Sequence, residues 1–284
     1  MTRFKQHTSL NPDFVIKKLN EFFQEDNIFE DITTEITQKN KQVHAILVAR
    51  EKLIFAGHQI IKQGFINCQT KDIINDGSKL EAGETIATIK GPIHEILKKE
   101  RVVLNLIQRL CGIASTTHRL SQITKEHNIE LLDTRKTTPG LRMFEKFAVA
   151  IGGGTNHRFS LKDAVMIKDN HLQGNSDIVQ IVAQAKKKNP EKDIQVEVDT
   201  KAQLTKALES DATSILLDNF NPKTLPDVLK YIQSHKKGSS KYIELSGGIT
   251  SDTISKFCLP GINGISMGAL THNIQSKDIA LDIK

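Results

Sequence analysis

The sequence predicts an α/β protein in two parts: a small N-terminal α+β domain, then an incomplete, TIM-like α/β barrel of about six strands. Three observations carry this expectation. Strand-like and helix-like stretches share the first hundred residues without regular alternation. From residue 130 onward, short apolar runs recur, each followed by a polar residue and then helical sequence, which implies parallel strands with right-handed crossovers. Chemically capable side chains stand at or just after the ends of those runs, where barrels carry their sites. About 150 residues at ~30 per strand–helix unit leave room for about six strands rather than eight.

Taken in order, Asn11-Pro12 reads as a helix start, with Asn as N-cap and Pro at the first position. Val15, Leu19, Phe22 and Phe23 then recur at helical spacing, giving an amphipathic helix over 12–25. Residues 30–34 read as a polar turn. Residues 43–50 and 52–56 read as strands closed by Gly57, followed by short strands through 85–89 that end at Gly91-Pro92. The stretch DGSKLEAGETIATIKG has the turns of a lipoyl or biotinyl carrier, but no lysine in an MKM-like hairpin tip, so its reading is structural. Ile96, Val103, Ile107, Leu110 and Ala114 fall on one helix face, so 93–127 holds one or two long helices with a bend at Gly112. This gives an N-terminal domain over 1–115 and a barrel over 116–270, with 271–284 packing back on the first domain. The barrel runs are 130–132, 164–167, 194–198, 214–217, 242–245 and 264–265.

Composition excludes several classes. At 284 residues, with 38% hydrophobic and 25% charged residues, the chain is globular rather than disordered or fibrous. A net charge of +6 allows nucleic-acid binding, yet no basic run with interleaved aromatics, no zinc-finger spacing and no Trp is present. A pocket for a polyanionic small molecule fits the same charge, and no nucleic-acid partner is expected. Cys68, Cys111 and Cys258 are odd in number and far apart, which excludes a disulfide framework or a cysteine zinc site and suits a reducing cytosol. No apolar run approaches membrane-spanning length, and MTRFKQHTSL lacks a signal-peptide core, so no membrane association and a cytoplasmic location are expected.

The chemistry concentrates in residues 133–171. Arg135, Lys136, Arg142, Lys146, His157, Arg158, Lys162 and Lys168 surround Gly152-Gly153-Gly154, with fewer acids: Asp133, Glu145, Asp163 and Asp169. Cations that converge on one pocket call for a substrate with several negative charges. For Lys146 and Lys162 a solvated basic face is the favoured reading. Ser246-Gly247-Gly248 and Ser266-Met267-Gly268 follow the last two strands beside helix starts, which suits a phosphate held by backbone N–H groups. Glu197 and Asp218 end neighbouring strands; an acid/base pair, a magnesium site, ribose-hydroxyl acceptors and ion pairing with Lys168 and Lys136 all stay open. Lys168 at a strand end is also a candidate Schiff-base lysine. Arg101 and Arg109 share the long amphipathic run, and spacing does not choose between them. No GxSxG or HExxH occurs and His157 is followed by Arg, so electrostatic positioning fits better than a protein nucleophile.

The motifs ERVVLNLIQRLCGIAS (100–115), DTRKTTPGLR (133–142), GGGTNHR (152–158), MIKDNH (166–171), VEVD (196–199), LLDNF (216–220), SGGIT (246–250) and ISMG (265–268) resemble, in the same order, those of the quinolinate phosphoribosyltransferases. That resemblance implies a type II fold, an α/β sandwich joined to an incomplete barrel, and a homodimer. It implies transfer of phosphoribose from PRPP to the ring nitrogen of quinolinate. Loss of the 2-carboxylate as CO2 then gives nicotinate mononucleotide and pyrophosphate, a step of NAD biosynthesis. By the same resemblance Arg135, His157 and Arg158 hold the quinolinate carboxylates, with Thr134 in the same substrate-binding motif and Arg101 reaching in from the partner subunit. Lys136 and Lys168 meet carboxylate and pyrophosphate charge. Glu197 and Asp218 serve the ribose hydroxyls and Mg²⁺, and complete with Lys136 and Lys168 the implied catalytic set. The 246–248 and 266–268 loops (Ser246, Gly247, Gly248, Ser266, Met267, Gly268) take the 5′-phosphate. Two departures touch backbone geometry only: Glu30-Asp31 stands where the family usually has Gly-Asp, and Ser160 where Gly is common. A relative of the same fold with another acceptor would lose some of the cationic positions; all are present here.

Overall fold

The computed structural model describes residues 3–172 and 177–284. Helix α1 (Pro12–Glu25) begins as its sequence dictates: the Asn11 side chain accepts the Phe14 N–H and Pro12 occupies the first position. The expected polar turn at 30–34 is instead the start of α2 (Ile32–Thr37). The Asp31 carboxylate accepts both the N–H and the hydroxyl of Thr34 and so caps a short helix, which turn composition alone concealed. Strands β1 (Gln42–Ala49) and β2 (Leu53–Ile54), helix α3 (His58–Gly64), and strands β3 (Gln69–Lys71), β4 (Lys79–Leu80) and β5 (Thr85–Pro92) follow. Next comes α4 (Ile93–Lys125), one unbroken 33-residue helix rather than two. Its predicted apolar face is its buried face: Ile96, Val103, Ile107, Leu110 and Ala114 are all fully buried. The helix runs through Gly112 without interruption. A Cβ there would lie 2.3 Å from the Gln275 carbonyl oxygen, so the residue makes room for the C-terminal segment.

The remaining elements alternate. They are β6 (Glu130–Leu132), α5 (Arg142–Ile151), β7 (Val165–Ile167), α6 (Ile178–Lys188), β8 (Ile194–Val198), α7 (Lys201–Glu209), β9 (Ser214–Asp218), α8 (Leu225–Ser234), β10 (Tyr242–Ser246), β11 (Gly264–Ser266), α9 (Ala269–His272) and β12 (Ile279–Ile283). The chain divides into two compact units. One comprises His7–His118, Thr138–Gly153 and Asn273–Lys284; its centre is an antiparallel sheet in the order β12-β1-β5-β3. The C-terminal strand β12 pairs with β1 from Ala45↔Ile283 to Ala49↔Ile279, so the end of the chain supplies an edge of this sheet.

The other unit takes the residues up to Gln6, Arg119–Thr137 and Gly154–His272. Its six strands are all parallel, in the order β6-β11-β10-β9-β8-β7. These are the six apolar runs of the sequence, and the barrel is not closed: β6 and β7, consecutive in the chain, form the two edges. Among the described residues no helix is long and apolar enough to cross a membrane, and all three cysteines are free.

One charged cluster in the first unit has a measurable consequence. Glu95, in the first turn of α4, pairs with Lys98 and with the nearly buried Lys99 and accepts from Asn67. Burial pushes its carboxyl up, but the hydrogen bonds from Lys98, Asn67 and Lys99 outweigh that and hold it down at about 2. A depressed folded value stabilises above the unfolded value of 4.5 and is lost as pH falls toward about 2. Glu95→Gln should therefore cost about 2 kcal/mol at neutral pH, a penalty that shrinks below pH ~4.5. Denaturant titrations of both forms at pH 7 and pH 3 check this; a penalty equal at both would contradict it.

Candidate active site

The register of the parallel sheet sets the order of functional groups around its C-terminal rim. Ile167 pairs with Val196, so Lys168 is level with Glu197; Ser246 pairs with Asp218, and Ser266 with Leu132. From β7 to β6 the rim reads Lys168, Glu197, Asp218, the 246–248 loop, the 266–268 loop, and the 133–136 loop. A cationic arm and two phosphate-type loops thus flank a pair of carboxylates.

The open edge at β6 is finished by an irregular segment. Thr155 bridges Leu132 in parallel, donating to the Leu131 carbonyl and accepting from Asp133 N–H. The fully buried Asp133 carboxylate then takes the Asn156 side-chain amide and the His157 N–H, each at 2.8 Å. Three donors and acceptors in a row fix residues 155–157 beside β6 and deliver Arg158 to the gap. Its guanidinium donates to the Ala164 carbonyl at 3.1 Å and lies 3.3 Å from the Met166 sulfur, on the β7 side. Arg158 is 7% exposed. Burial and the neighbouring Arg135 charge both lower its pKa, against Asp163 and Glu244. Arg135 has a buried Nε without a hydrogen-bond partner, and among the described residues neither guanidinium forms an ion pair. Arg158, held by neutral groups, and Arg135, with an unspent buried donor, suit a planar anion.

His157 faces inward. Its Nδ1 accepts the Arg158 N–H at 2.7 Å and its Nε2 lies 3.4 Å from Glu244 Oε2. The sequence resemblance puts this ring on a substrate carboxylate; in the structure both nitrogens address protein groups. Thr134 Oγ1 accepts the Lys136 N–H and shapes the loop. Lys136 is exposed, its carbonyl held by Thr271 Oγ1, and its stem passes over Gly268, where a Cβ would come within 2.7 Å of Lys136 Cδ. Lys168 pairs with Glu197 at 2.5 Å, so its Nζ is engaged by a carboxylate. Asp218 accepts from Asn219 Nδ2 at 2.7 Å and forms no ion pair with Lys136 among the described residues. Of the other cations, Lys146 departs from its expected solvated face: it is fully buried in α5, whereas Lys162 is exposed. The long-helix ambiguity also resolves. Arg109 binds the buried Glu145 and Thr138, while Arg101 is exposed, enters no ion pair among the described residues, and lines an open groove of 530 Å³ with Arg109, Glu25 and Asp26.

The phosphate-type loops differ in detail from expectation. No long helix follows either: residues 254–257 make one 3-10 turn after β10, and α9 has four residues. Ser266 Oγ donates to the Leu245 carbonyl and Met267 N–H to the Leu132 carbonyl, so both are spent on the sheet. The 246–248 loop carries a left-handed pair, Gly247 at φ 85° and Gly248 at φ 62°, a conformation that glycine adopts without strain. Sequence reasoning missed Glu244 and Arg3, which support this site from below. An acid inside the run YIELS of a buried parallel strand was the signal for Glu244, since such strands read as near-continuous apolar runs.

The models of the quinolinate phosphoribosyl transferase N-terminal and C-terminal domains match residues 31–111 and 113–282, and the chain belongs to that family. It is 42% identical over 272 residues to the probable nicotinate-nucleotide pyrophosphorylase [carboxylating] of Bacillus subtilis, covering 94% of this chain and 92% of that one. The corresponding Methanocaldococcus jannaschii protein is 38% identical over 281 residues, covering 95% and 98%. The structure of the nicotinate-nucleotide pyrophosphorylase from Francisella tularensis superposes with a TM-score of 0.91 at 33% identity, over 99% of this chain and 100% of that one.

Gly247 offers a direct check on the loop. A Cβ there would lie 2.3 Å from Asn219 Oδ1 and 2.6 Å from Asn219 N, whereas at Gly248 only Asn219 Oδ1, at 4.0 Å, comes that near. Gly247→Ala should destabilise by about 2–3 kcal/mol and Gly248→Ala by about 1 kcal/mol, measured by denaturant unfolding. Equal costs would contradict the loop geometry.

Proposed function

We propose that this chain transfers the phosphoribosyl group of PRPP to the ring nitrogen of quinolinate and releases pyrophosphate, CO2 and nicotinate mononucleotide. The observation that carries the reading is the Arg135–Arg158 pair, two adjacent guanidiniums without a carboxylate of their own among the described residues. A pyridine bearing two carboxylates supplies the missing anions, each in a shape that Arg holds bidentately. Lys136 and Lys168 stand at either side of the same wall and meet carboxylate and pyrophosphate charge. Glu197 and Asp218 accept ribose hydroxyls, and the 246–248 and 266–268 loops take the 5′-phosphate.

The chemistry follows from charge. As the bond from ribose C1 to pyrophosphate breaks, positive charge builds on the ribose and negative charge on the leaving group, so acids and cations on opposite sides of C1 lower the barrier. Once nitrogen carries the ribosyl group, the ring is cationic and accepts the electron pair left at C2 when CO2 departs; a proton then fills C2. Glu197 and Asp218 end neighbouring strands and suit Mg²⁺, an ion that takes one or two carboxylates with waters and substrate phosphates. When bound with PRPP, it offsets charge on the departing pyrophosphate. The exposed Arg101 supports a homodimer in which this residue completes the partner's site. Free cysteines and these metabolites suit the cytoplasm.

The test is a spectrophotometric assay of purified protein with quinolinate, PRPP and Mg²⁺, beside nicotinate as acceptor. Product is expected from quinolinate and not from nicotinate, with Arg101→Ala lowering kcat/KM about a hundredfold. Mixing Arg101→Ala with Arg158→Ala chains should restore part of the activity, since one site per mixed dimer is then complete. No product at any pH or metal would overturn the acceptor, and no rescue would overturn the shared site.

A further inference from the structure

Residues 3–6 do what a free N-terminal tail does not. The Arg3 guanidinium donates to Ser214 Oγ at 2.8 Å, lies 3.5 Å from both Asp193 and Glu244, and covers the Tyr242 ring at 4.5 Å. Ser214 and Tyr242 open β9 and β10, so Arg3 sits at the end of the sheet opposite the rim. The Phe4 ring stacks on His157, centroids 4.8 Å apart. Gln6 brackets Asn156, its Oε1 accepting the N–H at 2.7 Å and its Nε2 donating to the carbonyl at 3.1 Å.

These contacts converge on a buried acid. Glu244 is fully buried, accepts Gln195 Nε2 at 2.7 Å, and faces Arg3 and His157. A carboxylate so placed is expensive, and an apolar side chain would fill a barrel floor at lower cost. Its geometry indicates another use. Because His157 Nδ1 accepts a backbone N–H, the ring proton is on Nε2, 3.4 Å from the Glu244 carboxylate, in electrostatic rather than hydrogen-bond contact. The line Arg3–Glu244–His157 therefore ends on the main chain of Arg158. Phe4 stacks on His157 from the side, and Gln6 holds the preceding Asn156.

We infer that the N-terminal segment and Glu244 form a positioning relay that sets His157 and, through its Nδ1, the Arg158 backbone, so that the guanidinium meets the acceptor's carboxylate. Arg3, Phe4, Gln6 and Glu244 touch no substrate; His157 acts through Arg158. This rests on Arg158 being an acceptor-binding residue, as proposed above. Its reach is specific to the acceptor, because it ends on residues 157 and 158, which lie outside the strands that carry the phosphate loops and the Glu197–Asp218 pair.

The experiment uses full-length Arg3→Gln, Phe4→Leu and Glu244→Gln chains in two measurements. Steady-state kinetics should show KM for quinolinate raised about tenfold in Arg3→Gln and Glu244→Gln, less in Phe4→Leu, with KM for PRPP unchanged within about twofold. A mere plug would raise both KM values together or neither, and either result overturns the relay. Independently, ¹⁵N spectra of histidine-labelled protein, assigned with His157→Gln, should show the Nε2–H tautomer in every chain and an Nε2 resonance displaced from the wild-type position in Glu244→Gln, where the facing carboxylate charge is gone. An Nε2 resonance unchanged in Glu244→Gln overturns the relay even if every chain is inactive on quinolinate, an outcome that would by itself sink only the acceptor assignment.

Discussion

The structure of the site depends on one buried carboxylate. The parallel sheet stops at six strands, and its edges β6 and β7 would otherwise leave backbone groups unpaired in a gap. Asp133, fully buried at the end of β6, collects the Asn156 amide and the His157 N–H and so lays residues 155–157 along that edge. Arg158 then bridges to the Ala164 carbonyl on the β7 side. The opening is spanned by a cation instead of a strand. A closed eight-stranded barrel would fill that place with hydrophobic side chains; here it becomes a charged wall.

That wall is built at a cost to the folded protein. Arg135 and Arg158 repel one another, and burial adds to the penalty on Arg158. Their polar contacts are a carbonyl, a sulfur and, for one buried nitrogen, nothing among the described residues. A pair of this kind is disposed to take up negative charge. Asp218 and Glu197 lie two and three strands from β11, the neighbour of β6, with Glu197 tied to Lys168 and Asp218 to Asn219.

Much of this was legible in the residues. The six apolar runs became the six strands, within a residue or two at their ends, because a short β-branched run between a polar residue and a helical pattern has few other solutions. Helix α1 followed from Asn11-Pro12 and its spacing. Long-range pairing was not legible. Nothing local says that Asp31 caps a helix rather than a turn, or that Lys146 is buried while Lys162 is exposed. The choice between Arg101 and Arg109 waited on Glu145, which lies 36 residues from Arg109 and takes its guanidinium. Arg3 was the least visible of all. Its partners Asp193, Ser214 and Glu244 come from three strand regions far along the chain, and only the sheet register brings them together.

The central claim is that this charged wall accepts a ring with two carboxylates, of which one leaves. Quinolinate labelled with ¹⁴C in the 2-carboxyl group, incubated with the protein, PRPP and Mg²⁺, measures it most directly. The account predicts one labelled CO2 for every pyrophosphate released, with no release when PRPP is omitted. Pyrophosphate formed without labelled CO2, or labelled CO2 formed without PRPP, would contradict it.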